Sequence, residues 1–244
     1  MTASILLLAT VLLGGPGTPA SADSAYFAAR PQEAFARYRA LLAEAPGDTA
    51  LLWRAARAAL AIGWLEPDES ISIPWYRTAQ EYGRRAVAAA PDDVNAQFWL
   101  AAALGREAQI ADDPRTCVRR AREAYELTQR ILARAPDHAG AHELLGQIHY
   151  QVMNVAWPLR VIGLRLLGFH FDASWPEAER QLARAVALDG NTIAYRLELG
   201  RLYLRTGRAQ LARAQLRRAL ELPRVHPPDV LFQQEAAALM RRAG

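Results

Sequence analysis

The stretch Asn191–Leu222 constrains the fold of this 244-residue chain more than any other, because it reads as two amphipathic helices joined by a short turn. Apolar residues recur in both halves at the spacing of one helical face. Small residues, Gly200 and Ala212, stand where two antiparallel helices would cross closely, and Pro223 follows the second helix. A single helix hairpin cannot bury its apolar face alone, so the sequence predicts neighbouring hairpins that stack on this one.

Helix pairs with the same spacing recur towards the N-terminus, and a proline follows most of them. A period of about 34 residues is typical of tetratricopeptide repeats. The sequence therefore predicts an all-α, tetratricopeptide-type α-α superhelix, which is a right-handed solenoid of helix hairpins with a C-terminal capping helix. The helices are expected at Pro31–Ala45, Asp48–Ile62, Pro74–Ala90, Asp93–Gln109, Pro114–Ala135, from Asp137 onwards, from Ser174 onwards, in the two halves of Asn191–Leu222, and from Pro227 to Arg242.

Three segments depart from a minimal repeat. Asp23–Arg30 is expected to be a loose start, and Gly63–Ser72 is a longer connection than a repeat needs. The closing helix should cover the last repeat with Val230, Ala237 and Met240.

The first 22 residues resemble an export signal more than a part of the repeat domain. Ile5–Leu13 is almost wholly apolar, and the small residues from Ala20 to Ala22 fit a cleavage site. The sequence therefore predicts a signal peptide at 1–22, a repeat domain at 23–244, and an exported protein in the periplasm or at the cell envelope.

Composition excludes several classes of function. The net charge is only +4, and the arginines are mixed with acidic residues along the helices, whereas nucleic-acid binding usually needs a clustered basic stripe. Cys117 is the only cysteine, so an intramolecular disulfide is impossible. No phosphate-binding glycine-rich loop or nucleophile motif is present, which predicts a non-catalytic protein without a cofactor.

The C-terminal half carries the more specific likeness. Its repeat helix HELLGQIHY leads into a Trp-containing insertion, the next helix opens with SWPEA, and the last unit reads LGRLYL and then RRALELP. These features resemble the regulator of microtubule dynamics family and its bacterial relatives, over roughly Ala50–Met240 and most strongly after Ala141. The resemblance implies an adaptor role, because animal members are membrane-anchored adaptors at organelle surfaces, and some hold phospholipid in the repeat domain. It transfers no catalytic residue.

The concave face is the first candidate binding site, because solenoids commonly bind partners there. The first helix of each pair lines that face, and its inward positions combine polar, aromatic and cationic side chains. Such a surface suits a peptide terminus or a lipid head group. The alternative is a merely solvated groove. The candidate residues are Arg54, Asn95, Phe98, Glu143, Gln147, Tyr150, Arg201 and Arg205.

The insertion at about 152–171 is the second candidate site. It separates the helix that begins near Asp137 from its partner, and its apolar residues fall at helical spacing. Such a helix could lie on a membrane, cover the groove as a lid, or pack on its neighbours, and packing is the default interpretation. The residues concerned are Trp157, Leu159, Ile162, Leu166 and Phe169.

Three histidines on one helical face are the third candidate. His138, His142 and His149 could suggest a metal site, but Gly146 replaces the second histidine of the zinc-protease motif. The favoured interpretation is packing, with no metal. Together these observations predict an exported scaffold or adaptor that binds a protein or peptide in its concave face. The alternative is a lipid-binding or lipid-transfer module that uses the groove and the insertion.

Overall fold

The computed structural model describes residues 17–155 and 171–242, and within these ranges the regular structure is entirely helical. Each helix ends within a few residues of a proline, glycine or polar cap, as the sequence pattern indicates. The helices are α1 Pro19–Phe27, α2 Pro31–Glu44, α3 Thr49–Leu65, α4 Glu69–Ala89, α5 Val94–Ile110, α6 Pro114–Arg134, α7 Ala139–Asn154, α8 Trp175–Leu188, α9 Ile193–Arg205, α10 Ala209–Glu221 and α11 Asp229–Arg242.

Consecutive helices form hairpins that stack side by side. Helix α3 packs on α4, α5 on α6, α7 on α8, and α9 on α10. The first helices of these pairs, α3, α5, α7 and α9, also contact one another and are called the inner helices below. This arrangement confirms the predicted tetratricopeptide-type superhelix.

Close helix crossings depend on small residues, as the sequence predicts. A Cβ atom at Gly200 would lie 2.8 Å from Leu216 Cδ2, and one at Gly146 would lie 2.6 Å from Leu182 Cγ. Real Cβ atoms do not approach other atoms so closely, so glycine sets the distance between the two helices of the α7–α8 and α9–α10 hairpins. A methyl group at either position would push them apart.

The helices predicted to begin at Pro114 and near Ser174 form, and a side chain caps the start of each. Asp113 accepts the backbone N–H of Thr116 at 3.0 Å, and Ser174 Oγ accepts the backbone N–H of Glu177 at 3.2 Å. Each bond satisfies an N–H group that has no partner within its helix.

The prediction of a loose start at Asp23–Arg30 is wrong. Helix α1 begins at Pro19 and packs on α2, and it buries Ala22, Ala25 and Tyr26. Three small or aromatic side chains on one face are enough to dock this short helix. The predicted cleavage point after Ala22 lies within α1. The signal peptide at 1–22 and the domain boundary at residue 23 stay predictions.

The prediction of a long connection at Gly63–Ser72 is also wrong. Helix α3 continues to Leu65, and α4 begins at Glu69 after only three residues. The Asp68 carboxylate caps α4 by accepting the Ser70 N–H at 2.8 Å. Pro74 is the sixth residue of α4, past the first turn, so its missing N–H leaves the Ser70 carbonyl without its usual partner within the helix.

The closing helix forms as expected and packs through the predicted Met240, but its buried face is centred on Ala236 rather than on Val230 and Ala237. Ala236 is wholly buried, and Phe232, Leu239 and Met240 pack against α9 and α10. Val230 and Ala237, which the periodicity favoured, stay partly exposed. Helix α11 also contacts the opposite end of the array through Phe232, which explains the different register. In the described ranges, no helix is both long and apolar enough to cross a bilayer.

Candidate functional site

Contacts of α1 and α3 with α11 and the segment before it close the concave face. The rings of Trp64 on α3 and Phe232 on α11 lie 5.2 Å apart in an edge-to-face arrangement. Beside them, the ring of His226 lies 6.1 Å from Tyr26 and 6.0 Å from Phe27, both on α1. These contacts convert the inner surface of the superhelix into a cavity of about 290 Å³.

Inner helices supply most of the cavity wall, α11 with the segment before it supplies much of the rest, and Tyr26 of α1 and Asp189 complete it. The apolar part of the wall includes Leu60, Trp64, Phe98, Trp99, Leu144 and Phe232. The polar part includes Arg57, Arg106, Gln147, Glu143, Tyr195 and Glu198. Apolar walls that carry a few polar groups are typical of ligand-binding cavities.

Three of the eight predicted concave residues line this cavity. Phe98 comes from α5, and Glu143 and Gln147 come from α7, one helical turn apart. The exposed Gln109 of α5 donates its amide to Gln147 Oε1 at 3.2 Å. Glu143 is only 8% exposed, so the carboxyl group lies deeper in the cavity than Gln147 does.

Two other predicted residues, Arg54 and Asn95, lie outside the cavity wall. Arg54 stacks over the Trp53 ring at 4.3 Å and pairs with Asp23 at 3.2 Å. Asn95 is exposed near the start of α5. Both are on inner helices, but the closure of the superhelix leaves them away from its centre.

The cavity wall also leaves out the remaining three, Tyr150, Arg201 and Arg205, which contact neighbouring side chains. The Tyr150 ring lies 5.7 Å from that of Trp175. Arg205 Nε donates to Asn154 Oδ1 at 2.8 Å. Arg201 pairs with Glu198 at 3.1 Å and with Glu235 of α11 at 2.5 Å. Arg201 therefore links α9 to α11, and its binding role stays a prediction.

Electrostatics single out two carboxyl groups of the wall. Burial, reinforced by the nearby Glu198, raises the pKa of Glu143 from an ordinary 4.5 to about 8. Burial also raises the pKa of Glu198, although Arg201 opposes the change. Burial and the charge of Glu143 raise the pKa of Tyr195 as well. The cavity wall therefore disfavours the ionised form of Glu143, and this carboxyl group favours its neutral form at pH 7.

At another part of the wall lies Arg57, which is 7% exposed. Its guanidinium group pairs with Asp23 at 2.7 Å and lies 4.0 Å above the Tyr26 ring. Its Nε has no hydrogen-bond partner within the part of the chain that the structure describes. Nearby, burial lowers the pKa of His226, so this imidazole favours its neutral form.

Sequence reasoning missed several wall residues for two different reasons. Glu198 lies three residues before Arg201, so the helical period that selected Arg201 also contains it. Trp64 and Phe232 form the closure, and no local pattern shows that the two ends of an array meet. The predicted insertion residues Trp157, Leu159, Ile162, Leu166 and Phe169 lie outside the described residues.

The three histidines have structural roles. His138 caps α7 by accepting the Ala141 N–H at 3.0 Å, and the His142 ring bonds to Gln181 and to the Pro136 carbonyl. The His149 ring packs 4.5 Å from Phe171. Across residues 17–155 and 171–242, no three His, Cys, Asp or Glu side chains form a group that could hold a metal ion.

Comparison with known proteins assigns the family. The model of regulator of microtubule dynamics protein 1-3 matches residues 20–244. The chain belongs to this family. The match agrees with the resemblance read from the C-terminal motifs and extends it across α1 and α2.

Two relatives show the extent of the likeness. Regulator of microtubule dynamics protein 3 from Bos taurus is 25% identical over 189 residues, and that from Rattus norvegicus is 24% identical over the same length. The matches cover 77% of this chain but only 40% of each relative. Among solved structures, a thermophilic TPR protein of Thermus thermophilus has a TM-score of 0.65 at 23% identity, covering 91% of this chain and 97% of that one, which shows a common fold.

Proposed function

We propose that this family member is a non-catalytic repeat scaffold that binds a protein partner through the cavity on its concave face. The observation that supports the proposal is the convergence of Phe98, Glu143 and Gln147, from two inner helices, on one cavity of about 290 Å³. Repeat scaffolds of this architecture use the concave surface for binding.

The closure limits what can enter. An extended peptide would need an open groove along the inner helices, but the Trp64–Phe232 contact closes the inner face. A cavity of this volume accommodates one or two side chains or a chain terminus. The partner therefore binds by inserting a short protruding group, while the rest of its surface meets the rim near Gln109 and Gln147.

Filling the cavity tests this proposal. Gly105 lies in the cavity wall, and a Cβ atom built there meets nothing within 4 Å. Gly105→Leu should therefore fill the cavity without disturbing helix packing. Gly47, which is exposed between α2 and α3, has equally open surroundings, so Gly47→Leu is the matched control.

The assay is binding of peptides that phage display selects on the unaltered protein. Gly105→Leu should lose at least tenfold in affinity for these peptides, and Gly47→Leu should keep it. Equal binding to both variants, or failure to select any peptide, would contradict the proposal.

A second candidate function is favoured by the aromatic and aliphatic side chains of the wall. Leu60, Trp64, Trp99 and Phe232 present a surface on which part of an acyl chain could pack. In this role the protein is a lipid-binding module. Native mass spectrometry of the purified protein is the test, because a bound phospholipid adds a defined mass that Gly105→Leu should abolish. Absence of bound lipid from both the unaltered protein and Gly105→Leu would exclude the lipid-binding role.

We also propose that the chain is exported. The apolar run Ile5–Leu13 followed by small residues supports this. Cleavage after Ala22 would remove the first turn of α1 but keep Asp23 and its ion pairs with Arg54 and Arg57. Intact-mass analysis of protein recovered from the periplasm tests the proposal, and recovery of the full-length chain from the cytoplasm would contradict it.

A further inference from the structure

The cavity wall carries a buried carboxyl group that forms no ion pair within the described part of the chain. Glu143 accepts a hydrogen bond from the Gln147 amide, but no Arg or His lies within ion-pair distance of it among the described residues. Arg201 is the base that lowers its pKa, and Glu198 and Glu235 already hold the guanidinium group of Arg201. Glu143 is therefore able to pair with a positive charge that comes from outside the chain.

Aromatic rings surround the space next to this carboxyl group. Phe98 and Trp99 are adjacent on α5 with ring centroids 4.9 Å apart, and Trp64 and Phe232, in edge-to-face contact with each other, line the same cavity. The guanidinium group of Arg106 lies 4.2 Å above the Trp64 ring, so a cation already uses part of this surface. Aromatic faces attract cations, most strongly where water is excluded.

The formal charges of the wall favour a cation. Four carboxyl groups line the cavity against two guanidinium groups, which gives a net charge of −1 while Glu143 keeps its proton and −2 once it ionises. Two partners outside the wall offset each other, because Asp23 pairs with Arg57 and Arg201 pairs with Glu198. The carboxyl groups are those of Glu143, Asp189, Glu198 and Asp229, and the guanidinium groups are those of Arg57 and Arg106.

We propose that the cavity receives the side-chain ammonium group of a lysine from the partner protein, which pairs with Glu143 and Glu198. The inference rests on the proposed function, because it names the group that the partner inserts. A lysine side chain fits this site better than an arginine side chain, since its flexible four-carbon stem can follow the apolar wall while a compact ammonium group reaches the carboxyl groups.

Insertion is coupled to proton release. Before the ammonium group enters, Glu143 holds its proton at pH 7, because burial and Glu198 raise its pKa to about 8. The other charged groups near it are Arg201, which opposes this rise, and Tyr195, whose own pKa the charge of Glu143 raises. An ammonium group beside Glu143 lowers its pKa, so the carboxyl group ionises and releases about one proton as the pair forms.

Small probes test the charge requirement directly. Hexylamine, hexanol and hexanoate share an apolar stem and differ in charge, and isothermal titration calorimetry at pH 7 compares their binding. Hexylamine should bind at least tenfold more tightly than hexanol. Titrations in phosphate and in Tris, which differ in ionisation enthalpy, should show release of about one proton with hexylamine only. Equal or tighter binding of hexanol or hexanoate, or no heat from hexylamine at millimolar concentration, would overturn the proposal.

Variants then test the residue. Glu143→Gln keeps the shape of the side chain and removes its charge, so hexylamine should bind at least tenfold more weakly and release no proton, while hexanol binding stays unchanged. Glu126→Gln on the exposed face of α6 is the matched control. Unchanged hexylamine binding to Glu143→Gln would refute the pairing. The comparison of hexylamine with hexanol uses the unaltered protein, so it tests the proposal even if the variant does not fold.

A peptide-like pair of probes identifies the source of the amine. N-acetyl-lysine methylamide should bind, and N-acetyl-norleucine methylamide, which lacks the charge, should not. Binding of hexylamine without binding of the lysine derivative would overturn a protein source. Cavity-binding peptides that need neither lysine nor Glu143 would overturn this inference alone and leave the proposed function standing.

Discussion

The buried acid Glu143 makes the stability of this protein depend on pH in a direction opposite to that of most acidic residues. Burial and Glu198 raise its pKa to about 8, against 4.5 for the free side chain. Between these values the folded protein retains a proton that the unfolded chain has released. The free energy of unfolding therefore falls as pH rises, until the folded carboxyl group has ionised as well.

The size of this effect follows from the two pKa values. At 1.36 kcal/mol per pKa unit, the interval from 4.5 to about 8 corresponds to about 5 kcal/mol at most. Integrating the proton-binding difference from pH 5 to pH 8 gives a loss of about 3–4 kcal/mol. Glu143→Gln removes the titrating group and keeps the side-chain shape. Relative to the unaltered protein, the free energy of unfolding of the variant should therefore rise by this amount from pH 5 to pH 8.

Urea unfolding at several pH values from 5 to 8 measures this difference. Subtracting the two curves cancels the contributions of His138, His149 and His226, whose pKa values burial lowers and which titrate in both proteins. Glu126→Gln, at a side chain that is 54% exposed, should differ from the unaltered protein by an amount that does not change with pH. A constant difference for Glu143→Gln too would show that the carboxyl group is ionised throughout, and the reasoning would fail.

Three further predictions concern the fold. Gly146→Ala should lower the free energy of unfolding by about 1–3 kcal/mol, because the added methyl group meets Leu182, and thermal unfolding measures this. Asp23→Asn should cost about 3 kcal/mol in chemical denaturation, since it leaves the guanidinium group of Arg57 buried without a carboxylate; a change below about 0.5 kcal/mol would contradict the ion pair's importance. Phe232→Ala should speed hydrogen exchange in α11 while leaving exchange in α5 unchanged, because it removes the ring contact with α3; equal acceleration in both helices would indicate global unfolding instead.

Most of the fold follows from local pattern, because a tetratricopeptide hairpin is specified by residues close in sequence. Gly200 opposite Ala212 and the cap at Asp113 are readable without knowledge of distant parts of the chain. The failures concern positions that local periodicity does not decide. Helix α1 is held by docking on α2, and the face that α11 buries depends on Phe232 reaching the far end of the array.

The candidate site is predictable to a smaller extent for the same reason. Helical periodicity placed Phe98, Glu143 and Gln147 on the inner surface, and all three line the cavity. It placed Arg54 and Arg205 there too, although the first pairs with Asp23 and the second with Asn154. Periodicity identifies the side of a helix that faces inward, whereas the curvature of the whole array decides which of those positions meet at its centre.

The contact between Trp64 and Phe232 has a consequence for how such a chain can evolve. An open solenoid can gain or lose hairpins at either end, because each unit needs only its immediate neighbours. Here the last helix occupies the place that a further hairpin would take, and it already touches the beginning of the array. Duplication of a hairpin would separate α3 from α11 and open the cavity to solvent. The contact between these two helices therefore limits the number of hairpins between them.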